Sequence, residues 1–326
     1  MRLSFAIALV PAVSGSALAQ TFLGPTPYLS ENDRPADFLI GGLALEDFED
    51  QRLDFGIQRS TGAPIAPAFN TDSVDGDDGS IDGSGVAGHS FFGFGPARFT
   101  FPAPVREAGI VWTDGPAGTR VTFEAFGPGM VSLGRIGPVD VGGNDNTGST
   151  DEDRFFGIQD RDGIVAIEIS SLDGNQSFEV DHIQFDTIGT SYCAANVNSS
   201  GSTGIQTVIG SPRVIDDEVT LVASRLPPAV FGYFLCSQSQ GFVANAGGSL
   251  GNLCLDGAVG RFDAGAFNSG GTGSGVLRID LAAIPTPNGL TAVAPGETWY
   301  FQAWHRDAGP SGPSSNFTDA VSLTFR

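Results

Sequence analysis

The chain has 326 residues, and its 46 Gly and 20 Pro make about a fifth of it helix-breaking. With only 16% charged residues, this excludes a helical bundle or coiled coil, which needs long Ala/Glu/Lys/Leu-rich windows. A net charge of −21, with every basic residue an arginine, excludes binding of nucleic acid through a basic surface, and 40% apolar residues exclude global disorder.

The first elements read as an export signal. Arg2 gives a short positive region, Phe5 to Val13 a small apolar core, and Ala17-Leu18-Ala19 a cleavage site. The mature chain is expected to start at Gln20, after cleavage behind Ala19. The apolar run is too short to span a bilayer, and no second long one follows, so no membrane span is expected. The expected location is secreted, extracellular or periplasmic. Cys193, Cys236 and Cys254 can oxidise there. Three cysteines allow one bridge, and Cys236–Cys254 is expected because both fall in one predicted hairpin.

The charges divide unevenly. Residues 20–190 hold 28 acids and 9 Arg, whereas residues 191–326 hold 9 acids and 6 Arg. A boundary near Gly189-Thr190-Ser191 follows. It separates a lead segment (20–44) and an acidic domain (45–188) from a second domain (192–326).

Short strands recur along both parts. Val121 to Phe126 has strand period. Val165, Ile167 and Ile169 alternate with Ala166 and Glu168, as Leu277, Ile279 and Leu281 do with Arg278 and Asp280. Trp299 to Trp304 is aromatic-rich and extended. Turn residues punctuate these runs at short intervals. The fold class is therefore all-β, two β-sandwiches in series, expected as a monomer.

Three acidic constellations stand out. In Leu45-Glu46-Asp47-Phe48-Glu49-Asp50, a single strand would put Leu45, Asp47 and Glu49 on one face. In Phe178-to-Phe185, period two puts Asp181 on the face of Ile183 and Phe185, unless a bulge shifts the register. A carboxylate buried there must be paired, protonated or bound to metal. The third runs from Asp72 to Gly83, where Asp75, Asp77, Asp78 and Asp82 alternate with small residues. Hard oxygen donors without a Cys/His cluster suit Ca²⁺. The candidate ligands are Asp47, Glu49, Asp50 and Asp181, with Asp75, Asp77, Asp78 and Asp82. A solvated acidic edge, an Arg-paired carboxylate or a flexible acidic loop is the alternative.

No catalytic residue is assigned. Gly247-Gly248-Ser249-Leu250-Gly251 spells a nucleophile elbow but lies in a Gly-rich turn, without the strand-to-helix context. His89, His182 and His305 form no metal-spaced pair. Trp112 and Trp304 are candidates to stack on sugar rings, against the alternative of core packing.

Residues 45–186 resemble a β-sandwich domain of exported bacterial proteins, many of which carry a PEP-CTERM sorting tail. The resemblance rests on Phe48-Glu49-Asp50, Thr71 to Gly79, Ala108 to Gly115, Glu152 to Gly157 and Glu179 to Phe185. More distantly, Phe-Glu-Asp and Val-Asp-His-Ile resemble galactose-binding-like jelly rolls of carbohydrate-binding modules. That resemblance implies a structural Ca²⁺ between the first and last strands, at Glu49 and Asp181 with Asp47 or Asp50. The chain has no Pro-Glu-Pro, hydrophobic span and basic tail, so free secretion is expected. Residues 192–326 resemble a C-terminal Ig-like domain of exported planctomycete proteins, through Tyr192-Cys193, Gly232 to Cys236, Gly251 to Leu255, Pro295 to Trp304 and Ser315 to Ala320. It implies architecture rather than activity.

The expected function is that of a non-catalytic exported protein whose Ca²⁺-stabilised jelly-roll domain, the first, binds glycan, with extracellular glycan or other surface proteins as partners. A secreted polysaccharide hydrolase and a purely structural surface protein are the alternatives.

Overall fold

A computed structural model describes residues 20–38, 41–65, 72–74, 88–116, 118–142, 150, 152–172, 176–310 and 312–326. The expected export signal, Asp75, Asp77, Asp78 and Asp82 lie outside the described residues. The fold is all-β, and among the described residues no helix reaches seven residues.

Among the described residues, ten strands form one antiparallel sheet. They are β1 (Thr21–Pro27), β2 (Gly42–Glu46), β3 (Gln58–Arg59), β4 (Ala63–Ile65), β5 (Ser90–Phe94), β6 (Ala97–Asp114), β7 (Arg120–Gly127), β8 (Val131–Asp140), β9 (Arg154–Ser171) and β10 (Ser177–Thr187). The path runs β4-β5-β10-β6-β9-β7-β8, with β1 added to β9, β2 to β10 and β3 to β6. The long pair β6 and β9 organises it, in register from Ala97↔Ile169 to Trp112↔Arg154. Their register shifts between Thr100 and Glu107, where Pro102 and Pro104 withhold ladder donors. Opposite, Gly163 sits at φ +102°, and a Cβ there would come 2.9 Å from Pro104 Cβ. The sheet covers a core that includes Phe99, Ile110, Trp112, Phe123, Ile167, Phe178 and Phe185.

The second half contributes β11 (Thr190–Cys193), β12 (Ile205–Gly210), β13 (Val219–Ser224), β14 (Phe231–Ser237), β15 (Ser239–Ala244), β16 (Asn252–Asp256), β17 (Gly260–Arg261), β18 (Phe267–Asn268), β19 (Gly275–Ile279), β20 (Ile284–Thr286), β21 (Gly289–Thr291), β22 (Thr298–Gly309) and β23 (Gly312–Thr324). A six-stranded sheet, β11-β23-β22-β14-β17 with β18 on β14, accompanies the three-stranded sheet β12-β13-β19. Between them lies a second core with Leu221, Phe234, Trp299, Phe301 and Leu323. The β15–β16 hairpin lies over part of the outer face, where Leu235, Leu255 and Phe317 are buried. Among the described residues no strand before Thr187 pairs with one after it. The halves still touch, since Ile209 and Val222 belong to the first core.

One sequence expectation is corrected here. The bridge joins Cys193 on β11 to Cys254 on β16, with Cα atoms 6.4 Å apart, and not Cys236 to Cys254. Cys236 and Cys254 do not share a hairpin, because β14 pairs with β17, β18 and β22, whereas β16 pairs with β15. Cys236 faces the inner core with Phe234, while its neighbour Leu235 turns to the outer cluster beneath β16. Burial pushes the Cys236 thiol up to about 12, so it stays unreactive. Non-reducing peptide mapping is expected to show Cys193 linked to Cys254, with Cys236 alkylated only after denaturation. A Cys236–Cys254 peptide would contradict this. Cys193→Ser is expected to cost about 4 kcal/mol in the chain-entropy account of so long a loop.

Candidate functional site

The segment Phe178-to-Phe185 lies within β10, and the bulge is what occurs. His182 has φ +46°, and the β10–β6 register shifts between Asp181 and Gln184. Phe178 and Val180 enter the core before the bulge, Ile183 and Phe185 after it. Glu179, Asp181, His182 and Gln184 therefore face the other side, yet all are buried. Tyr28, Phe38, Val74, Val111 and Phe155 close that side.

A polar layer runs beneath this cover. Arg34 Nε donates to Gln184 Oε1 at 2.8 Å, and Gln184 Nε2 donates to Tyr28 OH at 2.8 Å. The Tyr28 hydroxyl lies 3.4 Å from His182 Nδ1. Asp181 Oδ2 accepts from Val74 N at 3.0 Å and Ser73 Oγ at 3.2 Å, and Oδ1 from His182 N at 2.7 Å. Glu179 Oε2 accepts from Asp72 N and Ser90 Oγ, each at 2.8 Å. Two buried carboxylates on one strand thus hold the segment Asp72–Val74 against the sheet. Asp114, Glu152 and Asp153 are also buried. Asp114 is level with Glu179 on β6, and Asp153 O accepts from Tyr28 N. Among the described residues no three His, Cys, Asp or Glu side chains form a metal-holding group.

The first constellation is not one strand. β2 stops at Glu46, and the chain turns through Phe48 (φ +55°) and Gln51 (φ +61°). Glu46 causes the turn. Fully buried, it accepts from Phe48 N at 2.9 Å through Oε1 and from Asp54 N through Oε2. Asp47, Glu49 and Asp50 consequently part company. Asp47 Oδ1 meets Arg225 Nη2 at 3.3 Å, beside the 2.6 Å contact of Arg225 Nε with buried Asp54 Oδ2. Glu49 accepts from His89 N at 2.6 Å and approaches His89 Nδ1 at 3.2 Å. Asp50 Oδ1 accepts from Arg52 N at 2.9 Å. Sequence reasoning passed over Glu46, Asp54 and Arg225. The sequence did offer one signal, the carboxylate of Glu46 two residues from Ala44 on a strand.

Burial raises three of these carboxyls. Asp54 is pushed up to about 6, with Asp50 adding to burial and Arg225 opposing it. Glu179 is pushed up to about 7, against the hydrogen bonds from Asp72 and Ser90. Glu46 goes well above the usual carboxylate range, through burial and then Asp54. A raised folded-state pKa means the folded chain keeps its proton where the unfolded chain has lost it. The resulting stability is complete below the unfolded pKa and is lost as pH rises through the folded one. In EDTA and about 1 M salt, which screens exposed charges, the melting temperature is expected to fall between about pH 5 and about pH 8. A flat or rising profile would contradict the buried-acid account.

The two tryptophans proposed to stack on sugars part ways. Trp112 is fully buried and stacks on Phe178 at 5.8 Å, so its ligand role is corrected to core packing. The cause is that β6 is an interior strand between β10 and β9, covered on both faces. Trp304 is half-buried on β22, opposite Tyr233 of β14, and the rings stack at 4.7 Å and 19°. Phe231, two residues along β14, is 47% exposed and meets both rings edge-on. The Arg261 guanidinium lies 4.5 Å from the Tyr233 centroid, and that of Arg306 lies 5.3 Å from the Trp304 centroid. Gly232, between Phe231 and Tyr233 on β14, faces the inner side, where a Cβ would come 2.5 Å from Phe267 Cζ of the second core. Sequence reasoning named Trp304 but missed Phe231, Tyr233, Arg261 and Arg306. Period two along β14 was the available signal.

Ser249 is structural, as its sequence context implied. Its hydroxyl donates to Ser315 O at 2.9 Å and accepts from Gly251 N at 3.0 Å, in a short turn between β15 and β16. His305 is buried, with Nδ1 against Arg306 O at 2.9 Å.

No protein-family model matches the chain, and no curated protein matches it. Among solved structures, it aligns with the N-terminal CBM22-1–CBM22-2 tandem domain of Paenibacillus barcinonensis Xyn10C. The identity is 11% over 95% of this chain and all of that one, with a TM-score of 0.21. It also aligns with a β-glucuronidase of Parabacteroides merdae at 10% identity, over 72% of this chain and 28% of that one, with a TM-score of 0.15.

Proposed function

We propose that this is an exported, non-catalytic protein of two β-sandwich domains that binds extracellular glycan on the outer face of its six-stranded sheet. The observation that carries the reading is the aromatic group of Phe231, Tyr233 and Trp304. Tyr233 and Trp304 are half-buried and Phe231 is exposed, and a large aromatic left exposed on a sheet face loses apolar burial unless a partner covers it. Phe231 offers a flat apolar surface to a pyranose ring, and the neighbouring polar groups suit its hydroxyls. The buried Trp112 moves the glycan reading from the first half to the second.

The first half then serves as scaffold, and we read its acidic end as held by Ca²⁺. What favours this is the grip of Glu179 and Asp181 on Asp72–Val74, which brings the chain to the start of the Asp75-to-Asp82 run. The donors are all hard oxygens, as Ca²⁺ requires. The proposed ligands are Asp181 with Asp75, Asp77, Asp78 and Asp82. Asp47 and Glu49 have other partners in Arg225 and His89. A Ca²⁺ ion bound there would lock this end of the domain.

Affinity electrophoresis of residues 20–326 through gels holding soluble polysaccharides tests the glycan reading. Retardation by at least one, lost in Phe231→Ala and Trp304→Ala, is expected. Migration unchanged by every polysaccharide would overturn it. Thermal unfolding with EDTA or Ca²⁺ tests the metal. A Ca²⁺-specific rise, absent in Asp181→Asn, is expected, since binding only the native state stabilises by about 2.7 kcal/mol at a hundredfold excess over Kd. No rise would remove the metal and leave the glycan reading standing.

A further inference from the structure

Resting on that reading, we infer that the glycan held by this face is anionic, a polysaccharide whose acid groups are taken by Arg261 and Arg306 while a sugar ring lies on Phe231. Tyr233 and Trp304 are nearly parallel at 4.7 Å, so each covers a face of the other. Each also carries a guanidinium, Arg261 on Tyr233 and Arg306 on Trp304. Neither ring therefore offers a free flat surface to a sugar, and both also pack against the outer cluster of Leu235, Leu255 and Phe317. Phe231, in edge contact with both, keeps its surface open. The β14–β22 register puts Gly232 opposite His305 and Tyr233 opposite Trp304. One step further, Phe231 is level with Arg306. Arg261 pairs with Leu235 on the other side of β14. The two guanidiniums thus lie on the two rings that Phe231 meets edge-on.

Charge complementarity decides the ligand class. The chain carries −21 overall, yet this face groups two arginines. Arg261 has Asp263 at 3.8 Å, but both side chains are more than half exposed, so water weakens the pair. Among the described residues no ion pair is formed by Arg306. At physiological salt, charges beyond about 8 Å are screened, so the distant acids of the first half do not cancel this patch. A guanidinium held against an aromatic ring loses little freedom on binding, and its planar fork matches carboxylate and sulfate oxygens. Nucleic acid is disfavoured, because its affinity comes from many phosphate contacts and two arginines supply few.

The test uses residues 20–326 and polymers that differ in charge alone. Polygalacturonate is compared with its highly methyl-esterified form, and dextran sulfate with dextran, with single-stranded DNA as a further arm. Tight binding of the charged member of a pair over the neutral one is expected, weakened by molar salt. Preference for polygalacturonate identifies carboxylate as the acid group, and preference for dextran sulfate identifies sulfate. Arg261→Ala and Arg306→Ala, both at exposed positions, are each expected to weaken that binding about tenfold, the size of one charge-assisted hydrogen bond. Equal binding of charged and neutral polymers, untouched by both substitutions, would overturn the inference and leave the glycan reading intact. DNA bound as tightly as polysaccharide would also overturn it. Binding of no polysaccharide at all is the separate failure of the glycan reading.

Discussion

Trp112→Ala is expected to lower the unfolding free energy by about 4 kcal/mol, the cost of emptying a fully buried aromatic site. Trp112 has no exposed surface, stacks on Phe178 and sits in the core that closes the first sheet. Its indole nitrogen is buried, with no hydrogen-bond partner among the described residues. Trp112→Phe therefore loses volume but no hydrogen bond, and is expected to cost less than half as much. Trp304→Ala provides the contrast. Its ring is half-buried on an outer face, so the expected loss is about 1 kcal/mol, with the consequence falling on binding instead. Urea unfolding of the three variants measures this. Equal losses at Trp112 and Trp304 would refute the assignment of one to core and the other to surface.

Arg225→Ala is the second large effect, with an expected loss of about 3 kcal/mol at pH 8. Arg225 Nε sits 2.6 Å from an Asp54 side chain that is only 1% exposed. Removing the guanidinium leaves that carboxylate among Glu46, Asp47 and Asp50 without its cation. The loss is expected to shrink toward pH 5, where Asp54, already pushed up to about 6, takes a proton instead. Asp54→Asn removes the stranded charge and is expected to cost less than Arg225→Ala. Arg225 follows β13, and Phe55 N donates to Ser224 Oγ at 2.9 Å. This pair therefore ties the loop after β2 to the second half. A loss independent of pH would contradict the account.

Much of the fold could be read from periodicity. Val121 to Phe126 lies in β7, Val165 to Ile169 in β9, and Trp299 to Trp304 in β22. These strands read clearly because one face is buried. β10 reads poorly because both faces are buried, and only the structure decides between the straight strand and the bulge at His182. The bridge is hidden from the sequence for a different reason. Proximity in sequence favours Cys236 for Cys254, but strand alternation points Cys236 inward while β16 lies outside. Long-range pairing explains the other omissions. Asp54 and Arg225 are 171 residues apart, and nothing local in either segment announces the other. Phe231 and Tyr233 share a face by period two, but which face looks outward is set by the packing of β12-β13-β19 on the opposite side.

The central claim is that the outer face around Trp304 is where ligand sits, and the chain's three tryptophans allow a direct test. Trp112 and Trp299 are buried, at 0% and 2% exposure, whereas Trp304 is half-buried. Acrylamide quenching of the native protein should therefore report on Trp304, and Trp304→Phe should remove the quenchable component. With the polysaccharide that retards it most at saturation, the account predicts that this component becomes protected while the buried tryptophans are unchanged. Quenching unaltered by a polysaccharide that demonstrably retards the protein would place the ligand elsewhere and contradict it.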